Sequence, residues 1–127
     1  MKREAKLKAS LMRAMQERYP KFVVIAHTEA LRSGVPDWSI TGRGQTTWWE
    51  FKHAAPNFKS TGIQELTCAR LALAGICRYV IWYENEEGGD KHTLIVHPAS
   101  LADWMNPLVK FTGHDMADLS DAVARYH

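Results

Sequence analysis

Cysteine is scarce: Cys68 and Cys77 are the only two in 127 residues, nine positions apart, with no CxxC pair and no histidine at zinc-finger distance. That excludes a disulfide-built domain and a zinc ribbon, and a reduced structural pair is expected. Long apolar runs are also missing. No stretch approaches the ~20 residues needed to span a bilayer, and the amino end has no signal-peptide-like apolar region, so a soluble intracellular protein is expected. HExxH, HxH, GxSxG, P-loop and GxGxxG patterns are all absent, which argues against a zinc hydrolase, acyl transfer and nucleotide hydrolysis by those routes. Neither internal repeats nor low-complexity tracts occur. The length suits one domain, residues 1–127, with a core over about 1–97 and a C-terminal helical extension over about 98–127.

Charge of one sign is lacking overall, at a net +2, but it is unevenly spread. Residues 1–60 carry eleven Lys/Arg against five Asp/Glu, whereas residues 61–127 carry five against nine. A basic first half fits a polyanionic partner such as DNA, although lysines that merely solubilise an exposed helix would give the same count.

Periodicity orders the elements. Leu7, Leu11, Ala14 and Met15 recur at helical spacing over residues 3–18, with Lys6, Ser10, Arg13 and Glu17 on the other side and Pro20 as the stop. Strands are expected over Lys21–His27, from Asp37 through Trp38 and Ile40, and over Thr46–Lys52, with Gly42–Gln45 as a hairpin loop. A turn-rich connection then leads to a helix over Gly62–Gly75, capped by Ser60 and Thr61. Arg78–Glu84 and His92–His97 read as strands around a charged turn at Glu86–Asp90. Short helices are expected near Ala99–Met105 and over about Asp115–Tyr126. This order predicts an α/β fold with a central mixed sheet flanked by helices.

The candidate site lies between Pro36 and Lys52, where Pro36-Asp37 precedes Glu50-Phe51-Lys52 by thirteen residues, counted from Asp37 to Glu50. Strand alternation turns Glu50 and Lys52 to one face and Trp49 and Phe51 to the other. Two carboxylates able to hold a hard divalent cation, with a lysine two residues on, are equipment for hydrolysing a phosphodiester. Pro-Asp is also an ordinary turn opener, and Glu-x-Lys an ordinary exposed strand face. The flanking Trp38, Trp48, Trp49 and Phe51 favour the functional alternative, because they mark strands buried on at least one side.

Glu4 falls within the apolar stripe of the first helix, whereas Glu17 lies roughly 140° away. Glu4 is therefore either an acid favoured by the helix dipole or a third acid reaching a metal or its water. Gln64 opens the second long helix, where it could orient a water or a phosphate oxygen. Lys6, Arg43, Lys59 and His53 are candidate nucleic-acid contacts, though basic residues in loops are usually just solvated and His53 could face either way.

With Glu4, Pro36-Asp37, Glu50-Phe51-Lys52 and Gln64 in this order, the chain resembles the PD-(D/E)xK nuclease superfamily. The GVPD and WEFKH stretches and the glutamine look most like its VRR-NUC type, whose stand-alone viral members and the archaeal Holliday junction resolvases are the nearest functional analogues. The resemblance covers residues 1 to about 84. It implies a restriction-endonuclease-like αβββαβ core, with Asp37, Glu50 and the Phe51 carbonyl ligating Mg²⁺ or Mn²⁺. It further implies Lys52 at the attacking water, Glu4 completing the metal shell, and Gln64 in support.

Two functions of different class follow. One is a metal-dependent endodeoxyribonuclease, for which the resemblance implies branched DNA such as Holliday junctions or flaps and a homodimer, since related small nucleases pair two sites. The other is a non-catalytic nucleic-acid-binding or assembly protein on the same fold. An intact Asp37, Glu50 and Lys52 favours the first, because a binding module has no need of all three.

Overall fold

The computed structural model describes residues 3–27, 36–54, 77–85, 88–97 and 107–127. Leu7, Leu11 and Met15 are the buried positions of α1 (Arg3–Arg18), one turn apart and therefore on a single stripe. Tyr19 N still donates to Met15 O at 2.8 Å. Pro20 has no N–H to continue the ladder, so the helix stops there.

Six strands follow: β1 (Val23–Ala26), β2 (Trp38–Gly42), β3 (Gln45–Ala54), β4 (Cys77–Asn85), β5 (Asp90–Val96) and β6 (Val109–Thr112), with α2 (Met116–Tyr126) last. They lie side by side in chain order in one sheet. All neighbours are antiparallel except β3 and β4, which run parallel from Trp48 opposite Cys77 to Ala54 opposite Tyr83. The sheet is mixed, as expected.

Alternation along β3 divides the core. Trp49 and Phe51 join Trp38, Ile40, Val80, Trp82 and Ile95 beneath Leu7, Leu11 and Met15 of α1 and Leu119 and Val123 of α2. Both described helices thus cover one face. On the other face Ala54, Cys77, Tyr79, Ile81, Leu94 and Val96 form a second buried cluster, with Trp48 packed against it. Burial of this much aliphatic and aromatic surface is the main stabilising term, at about 25 cal/mol per Å².

The β2–β3 hairpin turns on Arg43 and Gly44, with φ of 51° and 79°, the signs a type I′ turn needs at both central residues. Arg43 is the less suited to it. Its Nη1 donates to Ala124 O at 2.9 Å and its guanidinium lies 5.1 Å from the Phe22 ring centroid, contacts that hold the turn against that cost. Gly42 makes room for the same ring, since a Cβ there would stand 2.2 Å from Phe22 Cδ1.

The end of the chain differs from expectation. Within the expected C-terminal helical extension, Val109–Thr112 pairs with β5 as a sixth strand, and α2 places Leu119, Ala122 and Val123 in the same cluster as α1. A four-residue VKFT strand is too short for its alternation to register against the helical periodicity around it. α2 itself is where it was expected, with Asp115 Oδ1 accepting from Asp118 N at 2.9 Å as its N-cap. Strand β1 is shorter than expected, at Val23–Ala26. The helices anticipated over 62–75 and 99–105 lie outside the described residues. Among the described residues, no helix is long and apolar enough to cross a membrane.

Candidate active site

The site is built by unequal strand lengths. The β2–β3 pairing ends with Trp38 opposite Trp49, whereas β3 continues to Ala54 alongside β4. Asp37 stands at this fork. Its Oδ2 accepts a hydrogen bond from Phe51 N at 3.0 Å, taking the place of a β2 main-chain partner. The N–H and C=O of one strand residue point to the same side, so the Phe51 carbonyl also faces the edge that β2 has vacated.

Acids and amines gather around Asp37. Lys8 Nζ on α1 lies 3.7 Å from Asp37 Oδ1. Glu4, one turn earlier on the same helix, senses Lys8, Asp37, Lys52 and His53. Burial pushes the Glu4 carboxyl above its ordinary value; Lys8 pulls it back, Asp37 adds to the rise, and Lys52 and His53 oppose it. α1 and Lys52 belong to opposite faces of the sheet, and the gap beside β3 is where groups from both can act on one another.

Glu50 and Lys52 occupy the face away from α1, as strand alternation requires, and Glu50 is wholly buried. A carboxylate out of water is costly unless other groups compensate it. The Asp37 and Glu50 carboxylates with the Phe51 carbonyl would offer oxygen donors of the kind a hard divalent cation takes. Among the described residues, no group of three or more His, Cys, Asp or Glu side chains is arranged to hold a metal ion. A set of two side chains plus one carbonyl lies below that number.

His53 turns to the α1 face, which alternation from Lys52 dictates. Its Nε2 is 3.1 Å from Glu84 Oε2, while Arg3 Nε is 3.1 Å from Glu84 Oε1. Burial raises the Glu84 carboxyl, but the hydrogen bonds from His53 and Arg3 outweigh it and hold the group below its ordinary value. His114 Nδ1 lies 3.3 Å from Glu84 Oε1, and its Nε2 is 3.3 and 3.2 Å from the carbonyls of Tyr83 and His92. Burial holds His114 below its ordinary value.

The structure joins Asp37 directly to Phe51, sets Glu4 within the field of Asp37, Lys52 and His53, and buries Glu50 on the face that Lys52 shares. It does not bring Arg43, which sits at the far end of the hairpin and is occupied by Ala124 and Phe22. Lys6 lies on the exposed side of α1. Gln64 and Lys59 are outside the described residues. Lys8 was missed by the sequence argument, although its i,i+4 spacing from Glu4 on the inward stripe is the signal that identifies it. Glu84, Arg3 and His114 carried no such signal, because their meeting depends on β3 and β4 running in parallel.

No protein-family model matches the sequence, and no curated protein does. The structure is similar to that of Hjc, a Holliday junction resolvase from the archaeal hyperthermophile Archaeoglobus fulgidus. The TM-score is 0.55 at 10% sequence identity, over 91% of this chain and 98% of that one. A likeness at this identity concerns the fold, and the α/β core is restriction-endonuclease-like.

Proposed function

We propose that the chain is a divalent-metal-dependent endodeoxyribonuclease of the PD-(D/E)xK class, cutting branched DNA such as a four-way junction or a flap, and working as a homodimer inside the cell. The observation that carries this is the fork. Asp37 caps the Phe51 amide at the point where the strand bearing Glu50 and Lys52 parts from β2, and Glu4 lies on the helix above it. The GVPD and WEFKH stretches support the VRR-NUC type within the class, and the Hjc likeness supports branched DNA as substrate.

In this mechanism Asp37, Glu50 and the Phe51 carbonyl would hold Mg²⁺ or Mn²⁺, with Glu4 at the margin of the set. The ion supplies Lewis-acid stabilisation of the phosphate and eases ionisation of water. Lys52 orients the attacking water and neutralises charge developing on the phosphate oxygens. The hydrogen bond from Phe51 N fixes the Asp37 carboxylate, so no reorganisation of that group is needed when substrate arrives.

A second function is favoured by one contact. Lys8 beside Asp37 already compensates the carboxylate, as a non-catalytic DNA-binding module on this fold would require. Incubation with labelled linear, flapped and four-way DNA in Mg²⁺ and in EDTA separates the two. Cutting only with the metal, with preference for the branched substrates, is expected. Cutting in EDTA, or none on any substrate, sinks the mechanism. Near wild-type cutting by Asp37→Asn or Lys52→Ala would show the site to be misassigned.

A further inference from the structure

The face of β1–β3 turned away from the helices holds a feature that metal-dependent hydrolysis does not use. Val24, Ile40, Trp38 and Trp49 pack on the helix side, so the alternate positions face the other way. The register there places Ile25, Ser39 and Trp48 in one row and Val23, Thr41 and Thr46 in the next. Val23 and Ile25 are 56% and 49% exposed, the two most exposed large hydrophobics among the described residues. Beside them the His27 ring is stacked on Trp48, with centroids 5.1 Å apart and planes 30° from parallel. Its Nε2 is 2.9 Å from Ser39 Oγ, which fixes the ring.

This surface leads along β3 toward the proposed site, where Glu50 itself is buried. Trp48, Glu50 and Lys52 alternate along one face of β3, about 7 Å between successive members. Asp37 joins the two parts physically. Its carboxylate takes the Phe51 amide at 3.0 Å, and its main-chain carbonyl takes the His27 amide at 2.7 Å. A displacement of Asp37 would therefore shift the stacked ring as well as the acid.

We infer that the His27–Trp48 pair, extended by Ile25 and Val23, is a platform on which an unpaired nucleobase stacks, close to the phosphate presented to Lys52. The inference rests on the nuclease function proposed above and specifies its substrate. Aromatic faces accept any base, so such a platform reads strandedness and not sequence. A base inside an uninterrupted duplex has both faces taken by its neighbours, whereas one at a branch point or in a single strand is free to swing out. Scattered apolar side chains on a surface are ordinary. Here they adjoin a fixed aromatic pair on the same face as the acid and the lysine.

The test is binding without catalysis. Anisotropy titrations in EDTA compare a labelled single strand with its duplex, for wild type, Trp48→Phe, Trp48→Ala and Ile25→Ser, with thermal unfolding measured alongside. Loss of one stack predicts about a tenfold weaker hold on the single strand in Trp48→Ala. A smaller loss is expected in Ile25→Ser, near wild-type binding in Trp48→Phe, and unchanged duplex binding throughout. A strand carrying 2-aminopurine should change its fluorescence on binding wild type and not on binding Trp48→Ala. Equal losses on duplex and single strand, or no loss on either, overturn the inference. So does a fall in oligomeric state on Ile25→Ser with single-strand binding intact, which would make this face a contact between copies. If Trp48→Ala unfolds, Ile25→Ser and the 2-aminopurine signal with wild type decide. Because no metal is present, failure of cleavage on every substrate defeats the nuclease function without touching this result. Cleavage without strand preference in binding defeats the platform alone.

Discussion

The two ends of the β2–β3 hairpin carry similar residue types and use them differently. At the turn, Arg43 donates to Ala124 O, Gln45 Nε2 donates to His127 O at 3.0 Å, and His127 bridges Thr47 Oγ1 at 2.8 Å and Gly42 O at 2.7 Å. Each polar group there joins the sheet to the end of α2. At the fork, Lys8 lies beside Asp37 where β2 stops pairing with β3, and the Glu4 carboxyl, within the field of both, is held above its ordinary value. Polar groups that tie elements together are lodged where the chain turns back, and those suited to chemistry are lodged where pairing stops. Burying like-charged groups near one another costs stability, and such sites are where function concentrates.

The sharpest break in this contrast is Asp37→Asn. Cleavage should fall by at least ~10²-fold, the scale on which single electrostatic contributors to a transition state are felt, because the neutral amide has lost its charge for the cation. Asp37→Ala should in addition destabilise the fold by about 2 kcal/mol, since Phe51 N loses a charged acceptor. Single-turnover cleavage and denaturant melts of the two variants separate these effects. Lys52→Ala should also slow cleavage by about 10²-fold with little change in stability. Equal rates in Lys52→Ala and wild type would move the chemistry elsewhere.

At the other end of the hairpin, Arg43→Ala should cost about 1 kcal/mol of stability through one hydrogen bond and one cation–π contact. Cleavage and the salt dependence of DNA binding should be unchanged. A shallower salt slope in that variant would place Arg43 on the DNA backbone after all.

The smallest effects concern pH. Asp121 accepts from Tyr19 Oη at 2.5 Å and from Arg18 Nη2 at 2.8 and 2.9 Å. These bonds hold its carboxyl below the ordinary 3.8. A depressed acid stabilises the fold above its unfolded value, and the contribution is lost as pH falls through the folded one. Wild type and Asp121→Asn should therefore differ in Tm at neutral pH and converge on acidification below 3.8. Glu4 has the opposite sign. Its contribution is present below 4.5 and lost as pH rises through the elevated folded value, so Glu4→Gln should melt slightly higher at neutral pH and gain nothing in acid. Added Mg²⁺ should raise the Tm of wild type more than that of Glu4→Gln if Glu4 completes the metal set.

Much of the fold was legible because periodicity is a local property. The α1 stripe, the hairpin at Gly42–Gln45, the opposite orientations of Phe51 and Lys52, and α2 all follow from alternation or a 3.6-residue repeat read within a short window. β6 escaped because four residues are too few for either period to stand out. Of the proposed site, Asp37, Glu50 and Lys52 stand out by residue type and spacing. Glu4 was found because a carboxylate on an apolar stripe is out of place. Lys8 sits on that same stripe but was passed over, since lysines on an amphipathic helix usually lie in solvent.

The sequence by itself determined which side chains share a face, because that depends only on the bond geometry of neighbouring residues. It also supplied the acids and the lysine on adjoining strands. The tertiary structure alone decided that β2 ends one residue short of Glu50, leaving Asp37 to bind Phe51 N, and that β3 runs parallel to β4, bringing Glu84 to His53. It likewise sent Arg43 to the end of α2 and not to the acids. Those outcomes join residues from 14 to 81 positions apart, and only burial and hydrogen bonding of the whole sheet select among the pairings that local pattern allows.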